Sequence, residues 1–494
     1  MKILLINPVI RPKSPPAYFP LGLGYMASLA LRGGHDVEVL DINAHRWTPA
    51  EVEAKIQRAS FDLAGITGMI TEYRQVRWLA SVLRKYHRHE KLVLGGGLAS
   101  SAPEFLLQVT DLDVLVLGEG EEVFPELVAR MEKGEPYDGI GGIAFRRQGN
   151  VVLTPERRIV QNLDDIPFPA WDLFPMEVYL KGEKLGFEFP ARSMNIISSR
   201  GCPFRCSYCF HGLFGYKFRY RSPENTIAEM RYLRDTYDVH GIVFSDDLFV
   251  TNRKRTVNLC DKLIESGLGL RWMSNARVDL VDEDLLRKMK AAGCHSIFFG
   301  LESGSQRMLD SMKKGTKVEQ AEKALKACRA VGLPANGYFI IGLPGETRET
   351  VRETVEFCKR LGLEVDFNVA TPLPDTPLYA QSVELGKIGE VPAVLEKWDA
   401  WNENMLVNLT TMSDDELMKL KEEAEEEINS FVRRGHLGRR LKGLQQFWAS
   451  YGFLLLLKKL GYRTLRLAGV MEDPYIQAVH KVRRSGSLWA SVGA

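Results

Sequence analysis

Ser199-Arg200-Gly201-Cys202-Pro203-Phe204-Arg205-Cys206-Ser207-Tyr208-Cys209-Phe210 sets three cysteines on one short stretch in the pattern C-x3-C-x2-C. The chain has seven cysteines in 494 residues, so random placement yields this spacing in about one such chain in a thousand. Three thiolates on one loop can hold three irons of a [4Fe-4S] cluster and leave the fourth iron open to a small chelating ligand. A zinc site is the competing reading, and it needs a fourth ligand at similarly close spacing. His211 is the one nearby residue of the right kind, and its distance of two residues from Cys209 is shorter than ordinary finger spacing.

Downstream of the cysteines, strand and helix patterns alternate. Apolar runs near 195–198, 241–245, 271–274, 296–299, 337–341 and 366–370 predict six parallel strands, a partial (β/α)6 barrel in which working residues sit where strands end. Those ends carry the informative side chains. Asp246 and Asp247 follow the second strand, and a pair of acids is costly to bury without partners. Arg277 follows the third and offers a guanidinium suited to a carboxylate. Glu302 and Ser303 follow the fourth, and Gly342 opens the turn after the fifth.

Upstream, apolar runs at 2–6, 36–40, 62–66, 91–94 and 113–117 alternate with amphipathic helical patterns such as 23–32 and 73–88. This α/β pattern predicts a Rossmann-like, doubly wound parallel sheet over residues 1–140, with a ligand expected beyond the carboxyl ends of its strands. The turns there contain Pro8, Leu21-Gly22, Gly95-Gly96-Gly97 and Gly118-Glu119-Gly120-Glu121. None is a G-x-G-x-x-G directly after the first strand, which argues against a nicotinamide dinucleotide. Glycines after strands are also ordinary tight turns, so a sheet without ligand stands as the alternative. Residues 141–190 read as a linker with a hairpin across Gln148-Gly149-Asn150, followed by the proline-stiffened Ile166-Pro167-Phe168-Pro169-Ala170-Trp171.

The cysteine motif resembles that of the radical S-adenosylmethionine (SAM) enzymes, and Gly300-Leu301-Glu302-Ser303-Gly304-Ser305 resembles their G-x-E-S-G-S stretch. The resemblance implies a cluster on Cys202, Cys206 and Cys209 whose open iron chelates SAM, and reductive cleavage of SAM to a 5′-deoxyadenosyl radical. It further implies cofactor contacts from Tyr208 and Phe210, from Asp246 and Asp247 near the SAM amino group, from Arg277, Glu302 and Ser303, and from Gly342 beside adenine. An external electron donor such as a flavodoxin or ferredoxin is implied as well. The order of features in residues 1–140 resembles the cobalamin-binding domain that precedes many radical SAM domains. By that likeness Pro8, Leu21, Gly22, Gly96, Gly97, Gly118, Glu119 and Gly120 are the expected corrin contacts. Cobalamin mutases carry a histidine in an Asp-x-His-x-x-Gly loop after the first strand, whereas this chain has Asn7-Pro8-Val9-Ile10-Arg11-Pro12. No protein histidine is therefore expected on cobalt. Transfer-RNA methylthiotransferases are set aside, because their N-terminal cysteines have no counterpart before Cys202.

The expected function is a cobalamin-dependent radical SAM methyltransferase acting on an unactivated carbon of a small-molecule or lipid substrate. Cyclisation, rearrangement or oxidation with the same cofactors, and a non-catalytic cofactor sensor, are the alternatives. Residues 191–385 would form the catalytic barrel and 386–494 a helical extension. Residues 431–494 carry twelve Lys and Arg against Glu472 and Asp473, around the apolar run 447–457. That pattern suggests contact with an anionic membrane surface, by a run too short to cross it. A net charge of +2 gives no reason to expect nucleic acid. The absence of an eighteen-residue apolar run or a signal-like start gives the expectation of a cytoplasmic protein. Cys260, Cys294, Cys328 and Cys358 are scattered and read as small buried hydrophobes.

Overall fold

Five apolar runs form parallel strands at the start of the chain: β1 (Lys2–Asn7), β2 (Asp36–Asp41), β3 (Leu63–Thr67), β4 (Lys91–Gly95) and β5 (Val114–Val116). The structure, a computed structural model, describes residues 1–12, 14–155, 159–181, 189–389, 391, 395–397 and 405–451, the side chains of 436–451 excepted. The strand order is β2-β1-β3-β4-β5. Side chains alternate across each strand, so Ile3 and Leu5 join one core while Leu4 and Ile6 join another. Helices Leu21–Arg32 and Val123–Lys133 cover the first face, and Pro49–Arg58 and Tyr73–Tyr86 the second. The order reverses between β1 and β3, which opens a crevice at the carboxyl ends of the strands.

The hairpin expected in the linker has a different place. Strands β6 (Ile143–Arg147) and β7 (Asn150–Leu153) extend the first sheet to seven strands, β6 pairing antiparallel with β5 through Val116 and Ile143. The proline-rich crossover that follows brings Trp171 and Phe174 against Phe19, with ring centroids 4.4 and 4.6 Å away. This aromatic knot fixes the chain leaving the first sheet to the loop that follows β1.

The second sheet contains β8 (Ser193–Ile196), then, after the short antiparallel pair β9 (Ser199–Arg200) and β10 (Arg219–Tyr220), β11 (Gly241–Phe244), β12 (Arg271–Ala276), β13 (Cys294–Glu302), β14 (Ala335–Ile341) and β15 (Phe367–Val369). Its six strands are all parallel in the order β15-β14-β13-β12-β11-β8, a curled half-barrel with helices outside. Cys260, Cys294, Cys328 and Cys358 are buried in the layer between strands and helices, as small hydrophobes. The helix Asp414–Tyr451 is capped reciprocally by Ser413 and Glu416 and lays Leu417, Ala424, Ile428 and Val432 into the core. Arg352 binds Glu427 across its contact with helix Arg348–Leu361 (2.8 Å). The apolar run 447–457 and the basic stretch beyond it lie outside the residues whose side chains are described. Among the described residues no helix is long and apolar enough to cross a membrane.

One buried acid makes the first domain sensitive to pH. Glu72, 3% exposed, accepts a hydrogen bond from the Met69 amide (2.9 Å) while its Oε1 has no partner. Burial pushes its carboxyl from 4.5 up to about 8. The folded state therefore holds a proton that the unfolded chain has released, and stability falls as pH rises between about 4.5 and 8. Glu72→Gln is expected to leave the unfolding midpoint unchanged at pH 5 and to raise stability at pH 8 to 9 by on the order of a few kcal/mol. Denaturant titrations at both pH values check this; an equal effect at both would refute it.

Candidate active site

The β9–β10 ladder closes residues 201–218 into a loop at the carboxyl end of β8. Gly201 opens it at φ +82°, and a side chain there would collide with the Lys217 carbonyl, so only glycine fits. Its amide donates to Asp247 (2.9 Å). Asp246 accepts from the Ser198 amide and hydroxyl (both 2.7 Å) and from the Ser199 hydroxyl (2.6 Å). The paired acids thus tether the root of the cysteine loop, and Asp246 is 2% exposed with both oxygens engaged. Farther along, the Ser207 amide donates to Met312 O (2.9 Å) and the Leu378 amide to Ser207 O (2.8 Å). The loop is stitched to segments that follow β13 and β15.

Cys206 is buried, and Cys202 and Cys209 are half-buried. The Cys206 thiol is drawn down to about 6, first by a hydrogen bond from Cys209 and, against the cost of burial, by the positive charges of Lys314 and Arg277. Cys209, as donor in that pair, is pushed up. Positive charge thus awaits thiolates at this loop. Among the described residues no three Cys, His, Asp or Glu side chains converge on one point as a mononuclear zinc site demands, whereas a cubane spreads its thiolates over separate irons. The donor set fits the cluster.

Lys314 was not anticipated from the sequence. Its Nζ donates to Glu302 Oε1 (2.8 Å) and to the Tyr208 hydroxyl (3.1 Å), linking the end of β13 to the cysteine loop. Glu302 has φ +63°, a strained value that this buried pair holds in place. Arg277 is buried against Asp279 (2.7 Å) with its guanidinium 3.8 Å from the Phe204 ring centroid. Ser303 bonds to the Thr354 hydroxyl (3.0 Å), which ties the turn to helix Arg348–Leu361. The Gly342 amide donates to the buried Glu346 carboxylate, and its α-carbon faces Leu417 and Val369. Tyr208, Arg277 and Glu302 therefore lie about the cysteines, while Ser303 ties its turn to a helix and Gly342 closes the turn after β14 through Glu346.

At the carboxyl ends of β1, β3, β4 and β5 lies a cavity of about 340 Å³. Of the residues expected to contact a corrin, Gly22, Gly96, Gly97, Gly118, Glu119 and Gly120 line this cavity, and Pro8 and Leu21 are not among its lining residues. Gly65, Gly68 and Gly95 add further bare backbone. Gly96 sits at φ +94°, where an added Cβ would stand 2.7 Å from Gly68 O, so β3 and β4 end in contact and leave the space open. A cradle of glycines with apolar walls fits a large, flat cofactor tail. The opposite wall belongs to the second domain: Ile197, Arg200, Leu213 and Phe214. Phe210, next to Cys209, approaches to 3.9 Å of a Cβ built on Gly97.

A buried ionic network joins the two walls. Arg219 grips Glu119 with both terminal nitrogens (2.8 and 2.6 Å), and Arg200 binds Glu121 (2.5 Å) with Glu119 at 3.7 Å. All four side chains are at most 8% exposed. Glu119, expected as a corrin contact, lines the cavity but holds Arg219 and the Val160 amide (2.8 Å) with its carboxylate. The sequence does contain a signal for this: residues 199–223 carry five Lys or Arg and no acid, so counter-charges must arrive from elsewhere.

Comparison with known proteins agrees with this construction. A family model described as "Radical SAM superfamily" matches residues 196–358, and one described as "B12 binding domain" matches residues 9–128. The chain is 33% identical over 469 residues to an uncharacterized methyltransferase of Pyrococcus horikoshii, covering 92% of this chain and 96% of that one. It is 29% identical over 409 residues to the anaerobic magnesium-protoporphyrin IX monomethyl ester cyclase of Rubrivivax gelatinosus, covering 79% and 71%. Its fold is similar to that of the radical SAM methyltransferase TsrM of Kitasatospora setae, solved with cobalamin and a [4Fe-4S] cluster, with a TM-score of 0.64, 21% identity and coverage of 79% and 76%. The cofactors are thus a [4Fe-4S] cluster, SAM and cobalamin. The chain belongs to the cobalamin-binding radical SAM enzymes, within its methyltransferase-like branch.

Proposed function

We propose that this enzyme methylates an unactivated carbon of a small-molecule substrate. The observation that carries the reading is that one loop serves both sites. Residues 202–209 present the three thiols, and Leu213 and Phe214, a few residues on, wall the glycine-lined cavity. When bound, the cluster and SAM supply a hydrogen-abstracting radical and the corrin supplies a methyl carrier, chemistry that side chains alone lack.

The residues of this chain position and shield. Lys314 and Arg277 place positive charge beside the thiols, Glu302 and Tyr208 are fixed by Lys314 at the mouth of β13, and Ile197, Leu213 and Phe214 give the space between domains an apolar wall. Methyl transfer is favoured over the other outcomes by the likeness to the uncharacterized methyltransferase of Pyrococcus horikoshii, which extends over nearly the whole chain.

Product analysis tests this. Anaerobically reconstituted enzyme with SAM, cobalamin and a reductant is expected to form both 5′-deoxyadenosine and S-adenosylhomocysteine. Formation of 5′-deoxyadenosine alone would replace the reading by a cyclisation or rearrangement, as the relationship to the Rubrivivax gelatinosus cyclase allows. Formation of neither would overturn it.

A further inference from the structure

The cysteine loop has two faces of opposite character. Phe210, Leu213 and Phe214 turn toward the first domain. Arg205, Tyr216, Lys217 and Tyr220 are exposed, Tyr216 by 40% and Tyr220 by 44%. The outer face is organised: the Arg205 guanidinium lies 4.3 Å from the Tyr216 ring centroid, and His211 stacks on that ring at 4.3 Å and 27°. Lys217 is steadied by Gln161 (2.5 Å).

Its charge is one-sided for a structural reason. Of the five basic residues between 199 and 223, Arg200, Arg219 and Arg221 are buried and matched by Glu121, Glu119 and Glu229. Arg205 and Lys217 remain at the surface, and the stretch contains no acid. Arg205 stacked on the exposed Tyr216, with exposed Lys217 the next residue along the chain, gives this face a cationic and aromatic character, and arginine and tyrosine are the anchors that protein interfaces favour. The patch is adjacent to the thiols: Arg205 directly precedes Cys206, and the Cys202 amide donates to Gly215 O (3.3 Å), next to Tyr216.

We infer that this outer face of the cysteine loop is the docking surface for an acidic one-electron carrier protein. The inference rests on the cluster assignment above and names the partner of that same site. The step balances simply. One electron leaves the carrier, which is oxidised by one unit, and enters the cluster, which is reduced by one; no bond is made at the protein. Electron transfer through protein weakens steeply with distance, and a carrier seated over Arg205 is one residue along the chain from Cys206. Complementary charge would speed encounter and make it sensitive to salt.

Reconstituted full-length enzyme, reduced anaerobically by an acidic flavodoxin hydroquinone, tests this through the bleaching of the cluster's visible absorbance. The wild-type rate is expected to fall steeply as salt rises. Arg205→Glu with Lys217→Glu is expected to slow it at least about tenfold at low salt and abolish the salt dependence. Reduction of the same variant by photoreduced 5-deazaflavin, too small to need a docking face, is expected to match wild type. Unchanged flavodoxin rates in the double variant, or a wild-type rate indifferent to salt, would overturn the inference. Should that variant assemble no cluster, Lys217→Gln and the wild-type salt series decide alone. Failure of the wild-type chain to form a cluster would instead strike at the proposed function.

Discussion

Replacing Cys206 by alanine is expected to eliminate cluster assembly and to lower 5′-deoxyadenosine formation by at least about a thousandfold, while cobalamin is retained. Cys206 is a buried residue where Cys202 and Cys209 are half-buried, and its thiol is drawn down to about 6, first by the hydrogen bond from Cys209 and then by neighbouring positive charge. Its loss removes the ligand for which Lys314 and Arg277 are already in place. The fold should barely notice, because the loop is held by backbone bonds on either side: Ser207 to Met312 O, Leu378 to Ser207 O, and the β9–β10 ladder. A Cys→Ala change at such a site costs about 1 kcal/mol or less. Corrin should remain bound because the cavity walls are anchored through Arg219 and Glu119, independently of sulfur. Iron content, absorbance after corrin reconstitution and gel filtration, and product assay separate the outcomes. A variant that still cleaves SAM would remove the assigned role of the cysteines. One that loses corrin along with the cluster would show the two sites to be less independent than the geometry implies.

The architecture was legible where local pattern and tertiary environment agree. Strands β1, β3, β4 and β5 are largely buried on both faces and therefore read as nearly continuous apolar runs, as does β11, whereas the edge strand β2 alternates apolar with exposed acidic residues. The hairpin was legible as a hairpin but not as part of the first sheet. Its turn is local, whereas the pairing of Val116 with Ile143 is a relation between distant segments that neither announces. The three cysteines and Glu302 were legible because their spacing and flanking glycines are unusual. Lys314 was not, since a lysine twelve residues beyond an acid has no pattern of its own and gains meaning only when the chain returns to the mouth of β13. Asp246 and Ser303 have a structural part that the sequence does not announce. Polar residues at strand ends suggest ligand contacts, yet both are buried and fully occupied in bracing the loop and turn beside them.

Glu119→Gln is expected to destabilise the protein by about 3–5 kcal/mol, the cost of removing one charge from a buried, hydrogen-bonded pair. The amide is nearly the same size and can still accept from the Val160 amide, so packing is preserved and the charge alone is tested. What it leaves behind is two buried guanidiniums, Arg219 without its ion-pair partner and Arg200 still bound to Glu121, with Asp247 the other carboxylate close enough to act on both. Arg219 would repel Arg200 at the base of the cysteine loop, and the loop's inner residues Leu213 and Phe214 would lose their fixed position across the cavity from Gly96 and Gly118. Corrin retention is therefore expected to fall by at least about tenfold, which corresponds to 1.4 kcal/mol of binding. The double variant Glu119→Leu with Arg219→Met removes both charges and should recover a substantial part of the lost stability, because an apolar pair of similar volume needs no counter-charge. Denaturant midpoints and corrin absorbance after gel filtration measure the two effects separately. A loss below about 1 kcal/mol, the level of an exposed pair, would mean that solvent reaches these arginines and that the network does not bind the two domains together.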